Sequence, residues 1–245
     1  MVLSIDDLIE WRADGKMMED FFNSIYRHCS RGRFLYYRVF PYFLDDPKRR
    51  LFFDISKGFQ EFPKVVEAHQ EEGFLEGSFR HEYLFDLNLY DVPKHEEKNV
   101  STVAVLWIDV NTAFDQKILE KIPPSMTVKT RSRKYSPRGV DHFNFYWVLK
   151  KPVRPSLTYL KVLMRLYKLF FDKQFWYVCT GYQIHARIPG TLNFWGKRVT
   201  LEESGVEYEF DFFDNFLPKL SIVDVLHYSD AYRKMFVEPW RGIMG

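Results

Sequence analysis

The segment from Ala186 to Arg198 carries the residue types best able to hold an anion. Pro189 fixes one backbone angle and Gly190 frees the next, which predicts a tight turn. Around this turn the chain offers a guanidinium, a hydroxyl, an amide and an ammonium group, at Arg187, Thr191, Asn193 and Lys197. Such donors suit phosphate oxygens. An ordinary β-turn beside a solvated basic strand has the same composition, so both interpretations stay open on these residues alone.

A carboxylate at the end of an apolar run is the second candidate for chemistry. Residues 103–108 are continuously apolar, as expected for a strand buried on both faces, and they lead directly into Asp109, Val110 and Asn111. A carboxylate at this position is costly unless it is hydrogen-bonded or binds a metal, so Asp109 is a candidate site residue. The alternative is that Asp109 caps a helix or closes a turn.

An aromatic run over residues 143–149 predicts another central strand. Side chains alternate between the two faces of a strand. One face then carries the polar candidates and the other carries large apolar rings: His142, Asn144 and Tyr146 against Phe143, Phe145 and Trp147.

Five cations fall within ten residues, at Lys129, Arg131, Arg133, Lys134 and Arg138. The formal net charge is only +2, so a nucleic-acid surface has to come from such local clustering. We expect a strand-binding loop here, attracting phosphates through a salt-sensitive term, with Tyr135 available for base stacking. The alternative is a solvated charged loop without a ligand.

Composition bounds the kind of protein. A chain of 245 residues with 46% apolar and 18% aromatic residues can bury a sizeable core in one large domain or two small ones. Cys29 and Cys179 are far apart and lack metal-ligand spacing, which favours a reducing compartment and two buried thiols. The chain shows neither a signal segment nor about 18 consecutive apolar residues, so we expect a cytoplasmic protein without a membrane partner.

Periodicity predicts the elements that position these candidates. Helices are expected at residues 4–15, 17–28, 63–72, 114–121 and 158–171, with a last one capped by Ser221 and running to about His227. In the 158–171 helix, Arg165 is expected to face solvent. Strands are expected at residues 34–40, 51–55, 82–89, 103–110, 143–149, 175–179 and 207–212. Residues 1–80, 81–215 and 216–245 are expected to pack as one domain around a central core.

Taken in chain order, three motifs resemble the archaeo-eukaryotic primase superfamily, particularly the primase-polymerase domains of plasmid and viral replication proteins. They are the strand ending at Asp109, the strand over residues 143–149 and the turn that follows Arg187. That family has two acidic metal ligands one residue apart, then a His before a Tyr-Trp pair, then Arg-x-Pro-Gly-Thr-x-Asn preceded by an acidic residue and followed by Lys. Residues 187–193 carry the specific part of the resemblance. It implies an α/β (α+β) primase-polymerase-type fold, with central mixed or antiparallel sheets flanked by helices.

The departures from the family pattern concern the catalytic side chains. Asn111 stands at the second acidic position, Asn144 stands for the His, and Gly181 stands where the third acidic residue is expected. The resemblance therefore implies that Asp109, aided by a substrate triphosphate, holds one Mg²⁺ or Mn²⁺ weakly, with no other cofactor. Loss of metal-based stabilisation implies rates about a thousandfold or more below those of a full site.

Three functions follow from the resemblance. The first is a DNA-replication protein that binds single-stranded or template DNA and a nucleoside triphosphate, has little catalysis of its own, and assists an active primase, polymerase or helicase subunit. The second is an active template-dependent primase or polymerase, in which nearby carboxylates replace the missing ones: Asp115, Asp141 or Asp211. The third is a protein-interaction module without a nucleotide site.

Overall fold

The computed structural model describes residues 13–41, 50–75, 81–110, 113–131, 139–171, 185–192 and 198–221. Within these ranges the helices are α1 (Gly15–Tyr26), α2 (Phe62–Leu75), α3 (Lys117–Lys121), α4 (Leu157–Phe171) and α5 (Phe210–Phe216). The strands are β1 (Phe34–Pro41), β2 (Arg50–Asp54), β3 (His81–Tyr90), β4 (Val100–Val110), β5 (Met126–Arg131), β6 (His142–Val153), β7 (His185–Arg187), β8 (Thr200–Glu203) and β9 (Glu207–Tyr208).

The described strands form one sheet in the order β2-β1-β3-β4-β6-β5-β8, with β7 added to β3 and β9 added to β6. Every pairing is antiparallel except the parallel β6–β9 pair. The expected architecture, a mixed or antiparallel sheet flanked by helices, is confirmed.

The sheet divides along β3, and this division shapes the site. One edge of β3 pairs with β7 at residues 84–86 and with β4 at residues 88–90. Beyond Val103, β4 continues alongside β6. The strands β4 and β7 therefore share an edge of β3 but follow it over different residues, like the two arms of a fork.

Both faces of the sheet are covered by helices, as the apolar stripes predict. On one face, Phe21 of α1 contacts Phe85 of β3 and Tyr146 of β6, with ring centroids 5.5 and 5.4 Å apart. On the other face, Trp147 contacts Phe170 of α4 at 5.9 Å. The alternation predicted for β6 is therefore observed, and here both of its faces are buried.

Two predictions about the C-terminal part of the chain are wrong. The charge and aromatic alternation of residues 207–212 predicted a strand, but β9 ends at Tyr208 and α5 begins at Phe210. The segment from Phe210 is helical because it buries Phe213 and Leu217, which are four residues apart, a spacing typical of a helix. The period-two alternation of residues 207–212 does not show this spacing. Arg165 is buried rather than solvent-facing, and its guanidinium donates to Asp214 Oδ1 at 2.6 Å and to the carbonyls of Asp214, Leu217 and Pro218.

Several predicted features lie outside the described residues: most of the 4–15 helix, the 175–179 strand, Cys179 and the helix following Ser221. Cys29, which was expected to be buried, is half-buried, and burial raises the pKa of its thiol to about 12. Among the described helices, we find none that is both long and apolar enough to cross a membrane.

Candidate nucleotide site at the fork of the sheet

Strand register brings the polar candidates of three strands onto one face. Asp109 at the end of β4 lies opposite Asn144 of β6, and Arg131 of β5 lies opposite His142 of β6. Side chains two residues apart on a strand share a face, so His142 and Asn144 point the same way. The four side chains therefore project from the same face, where β4 ends and β6 begins.

Asp109 is accessible but closely surrounded. Its side chain is exposed to solvent, yet desolvation by the surrounding protein raises the pKa of its carboxyl. The positive charges of Arg187 and Arg131 act in the opposite direction on that pKa. A solvent-accessible carboxylate that is still desolvated and has two arginine charges acting on it has the setting of a binding site, which we call the Asp109 cleft.

Arg187 reaches this cleft from the other arm of the fork. It ends β7 and lies opposite Leu84 of β3, and its side chain is half-buried. Its charge lowers the pKa of Asp109 and also acts on Tyr146, the ring two residues along β6 from Asn144. The fold thus brings Asp109 and Arg187 together from positions 78 residues apart in the chain.

Two buried polar atoms beside Asp109 have no hydrogen-bond partner among the described residues. They are Asn144 Oδ1 and Trp107 Nε1, on side chains that are 3% and 4% exposed. Asn144 uses its amide nitrogen, which donates to the Tyr146 hydroxyl at 3.4 Å. Buried polar atoms are normally satisfied, so an unpaired acceptor here points to a missing water, ion or ligand. A carboxylate with a neighbouring amide oxygen fits Mg²⁺ or Mn²⁺, which prefer oxygen ligands.

The Pro-Gly-Thr turn that follows Arg187 is buried and anchors the end of β7 to the start of α1. Gly190 has φ 82°, and its carbonyl accepts from Asp14 N, at the N-cap of α1, at 2.9 Å. A Cβ at residue 190 would lie 2.5 Å from Asp14 O, so this close approach requires glycine. Thr191 is 1% exposed and donates its hydroxyl proton to Ile188 O at 2.6 Å. Thr191 therefore closes the turn from inside the protein, a position that gives it no access to the open cleft.

The basic segment begins as a strand, where a loop was expected. Lys129 and Arg131 belong to β5. Lys129 Nζ lies 3.2 Å from Asp141 Oδ2 and 5.7 Å from the centre of the Phe143 ring. The remaining residues predicted for the metal, nucleotide and nucleic-acid sites lie outside the described residues: Asn111, Arg133, Lys134, Arg138, Asn193 and Lys197.

The three carboxylates considered as replacement ligands have other settings. Asp115 Oδ1 accepts from the backbone of Lys117 at 3.0 Å, Asp141 pairs with Lys129, and Asp211 is exposed on α5. The charges that shift the pKa of Asp109 are both arginines. Over the described ranges, no three His, Cys, Asp or Glu side chains are placed to hold a metal ion together.

Sequence reasoning missed a buried network on β3. Asp86 is fully buried, and its carboxylate accepts from Asn88 Nδ2 at 2.7 Å and from the Tyr90 hydroxyl, while His95 Nε2 lies 3.1 Å away. Desolvation raises the pKa of Asp86, and these partners partly offset it. The signal was available: Asp86, Asn88 and Tyr90 alternate along one strand face.

Comparison with known proteins identifies the fold. No protein-family model matches the sequence. No curated protein matches it either. Among solved structures, the chain is similar to the archaeo-eukaryotic primase domain of the cyanophage S-2L primase-polymerase, with TM-score 0.57 and 14% identity over 84% of this chain and 100% of that one. The catalytic domain of primase Repb′, solved in complex with initiator DNA, aligns with TM-score 0.48 and 10% identity over 89% of this chain and 99% of that one. The chain has the fold of a primase-polymerase domain.

Proposed function

We propose that this chain is a DNA-replication protein that binds a nucleoside triphosphate and single-stranded or template DNA in the cleft between Asp109 and Arg187. In this proposal its own nucleotidyl transfer is lost or strongly attenuated, and it assists an active primase, polymerase or helicase subunit. The observation that supports it is the make-up of the cleft: one accessible carboxylate is flanked by Arg187 and Arg131, and its partner on β6 is an amide, Asn144.

The cleft is better equipped for phosphate than for two metal ions. Arg187 offers a guanidinium that pairs with phosphate oxygens in bidentate fashion, and its strand is braced by the buried turn at Gly190. Mg²⁺ or Mn²⁺, where bound, would be held by Asp109 and Asn144 Oδ1 and would neutralise phosphate charge. Two cations about 4 Å apart need more anionic ligands than one carboxylate supplies, which is why attenuated transfer is proposed.

The DNA strand is proposed to follow β5 into the cleft. Arg131 shares the sheet face of Asp109. Lys129 lies opposite Phe143 and pairs with Asp141, so it would contact the strand near the end of β5. The sequence continues this basic stretch with Arg133, Lys134 and Arg138. Lys197 and Asn193 are proposed as further triphosphate contacts on the strength of the family motif alone.

The test of catalysis is template-dependent nucleotide incorporation in the presence of Mn²⁺. We expect the wild-type chain and Asp109→Ala to incorporate equally little, while the wild-type chain still binds single-stranded DNA. Glu202→Ala, which removes an exposed carboxylate from β8, is the matched control.

The same assay decides for the alternative function, an active primase or polymerase with an atypical metal site. Its supporting observation is the pairing of Asp109 with the unpaired Asn144 Oδ1. Robust incorporation that Asp109→Ala abolishes and Glu202→Ala retains would establish the active enzyme and contradict the attenuated one.

Triphosphate binding is tested separately by thermal melting. At a nucleotide concentration a hundred times the dissociation constant, binding stabilises the fold by about 2.7 kcal/mol, or roughly 5 to 10 °C for a chain of this size. We expect Arg187→Gln to lose most of this shift and the exposed-lysine control Lys151→Gln to keep it. If neither ribo- nor deoxyribonucleoside triphosphates shift the wild-type melting temperature, the protein-interaction module becomes the better description.

A further inference from the structure

A second polar pocket lies away from the Asp109 cleft. It has a volume of about 220 Å³ and is lined by His28, Ser30, Arg31, Ser101, Thr102, Pro152, Val153 and Arg154. We call it the Arg31 pocket. It is formed where β4 begins and β6 ends, together with the loop that joins α1 to β1.

The lining of the Arg31 pocket carries two arginines and no carboxylate, and its His28 contacts the Glu207 carboxylate at 2.9 Å. Among the described residues, neither Arg31 nor Arg154 forms an ion pair. The arginines on either side of Arg31 in the chain do form ion pairs, Arg27 with Glu207 and Arg33 with Asp54. Two guanidinium groups that share a pocket repel each other, and an anion bound between them removes that cost.

The backbone of this loop is fixed against the sheet. Gly32 has φ 82°, and a Cβ there would lie 2.5 Å from Leu89 Cβ and 2.7 Å from Ser101 Oγ. The Thr102 hydroxyl donates to Arg31 O at 3.1 Å. These contacts fix the backbone at Arg31 and Gly32 against β3 and β4, so the position from which the exposed Arg31 side chain extends is preorganised.

We propose that the Arg31 pocket binds a single phosphoryl group, supplied by the backbone of a DNA strand or by free inorganic phosphate. Arg31 and Arg154 provide the charge, and the Ser30 hydroxyl provides a further donor. The Ser101 hydroxyl lies in the lining but already donates to Thr102 Oγ1 at 3.3 Å. The volume lies below the range of about 300 to 1,000 Å³ for sites that enclose a drug-sized ligand, so the pocket is too small to enclose a whole nucleoside triphosphate.

The Arg31 pocket is a separate site from the Asp109 cleft. Thr102 lines the pocket and Asp109 ends the same strand, seven residues further on. At about 3.3 Å per residue the two positions are roughly 23 Å apart. In duplex DNA one strand carries a phosphate about every 3.4 Å of helix axis, so a duplex strand running between the two positions would pass about seven phosphates.

The test uses the whole chain and the double variant Arg31→Gln with Arg154→Gln. The control, Lys150→Gln with Lys151→Gln, removes the same charge from exposed positions on β6 that do not line the pocket. Titration with inorganic phosphate, followed by amide NMR, is expected to move the Ser30 and Ser101 signals in the wild type and the control, and to leave them in place in the arginine variant.

A second arm measures binding of single-stranded oligothymidine as a function of salt. If the pocket holds a strand phosphate, losing two contacts reduces the slope of log affinity against log salt by about 1.4 and weakens binding about tenfold or more, beyond any effect in the control. Phosphate-induced shifts without this loss assign the pocket to free phosphate, and both results support a phosphoryl site.

The proposal is overturned if inorganic phosphate leaves the Ser30 and Ser101 amides of the wild type unmoved. That titration needs no variant to fold. It is also independent of the proposed nucleotide site, since a failure of Arg187→Gln to alter triphosphate binding leaves these signals untouched.

Discussion

Two neighbouring strands each carry an aspartate whose pKa is raised by desolvation, and their surroundings differ completely. Asp86 on β3 has no exposed surface and is surrounded by donors from Asn88, Tyr90 and His95. Asp109 on β4 is open to solvent, and no described residue donates a hydrogen bond to its carboxylate; its partners act through charge at a longer range.

The difference separates a structural carboxylate from one that can bind. The oxygens of Asp86 are already occupied by protein donors, and the His95 ring is stacked on Tyr36 with centroids 3.7 Å apart, so this network fixes the 91–99 loop to the sheet. The oxygens of Asp109 keep their capacity for a ligand. A raised pKa alone does not distinguish the two; the hydrogen-bond partners do.

The largest expected effect comes from Asp86→Ala. Removing the carboxylate takes an acceptor away from three buried donors, Asn88 N, Asn88 Nδ2 and the Tyr90 hydroxyl. We therefore expect a loss of about 3 to 5 kcal/mol in the free energy of unfolding, measured by denaturant titration. The matched change Asp109→Ala should not destabilise the fold. Equal losses in the two variants would show that Asp109 is structural as well.

Gly190→Ala tests the support of the arginine that faces Asp109. A methyl group at φ 82° is strained, and it would meet Asp14 O at 2.5 Å. We expect a loss of about 2 to 4 kcal/mol in unfolding free energy, from the backbone strain and the displaced contact together. The melting shift produced by triphosphate should fall as well, because β7 is no longer held in place. A destabilised variant with an undiminished shift would separate the turn from the site.

The smallest effect is expected from Asp109→Asn, and its sign is opposite. Because the folded-state pKa of Asp109 lies above its unfolded value, the ionised carboxylate costs stability at neutral pH, and that cost disappears as pH falls through the folded pKa. Asp109→Asn should therefore raise the melting temperature slightly at pH 7, and this gain should shrink as pH falls and vanish below the unfolded-state pKa of about 3.9. A variant less stable than wild type at pH 7 would mean that the two arginines outweigh desolvation.

Much of this architecture is predictable from local pattern. The long elements follow from periodicity, as β4 and α4 show, and the Asp109, Asn144 and Arg187 motifs were found in chain order. Burial by distant segments was not predictable. Thr191 was predicted as a phosphate donor and Arg165 as a surface cation, yet both side chains are buried. The Thr191 hydroxyl donates within its own turn, and Arg165 donates to the segment at the end of α5. The Asp86 network was missed because its fourth member, His95, comes from the loop after the strand.

Because the sheet divides along β3, a small rotation near β3 produces a larger displacement at the Asp109 cleft. β4 is joined to β3 through a short ladder that runs from the Tyr90–Val100 pair to the Asn88–Val103 pair. Asp109 lies roughly 20 Å beyond this ladder along β4. A rotation of about 5° at that ladder therefore moves Asp109 by about 2 Å relative to β7. A displacement of this size is enough to break a hydrogen bond to a bound phosphate. Phe21 contacts Phe85 of β3, which carries β7, and Tyr146 of β6, which pairs with β4, so this one phenyl ring bridges the strands that carry the two sides of the cleft.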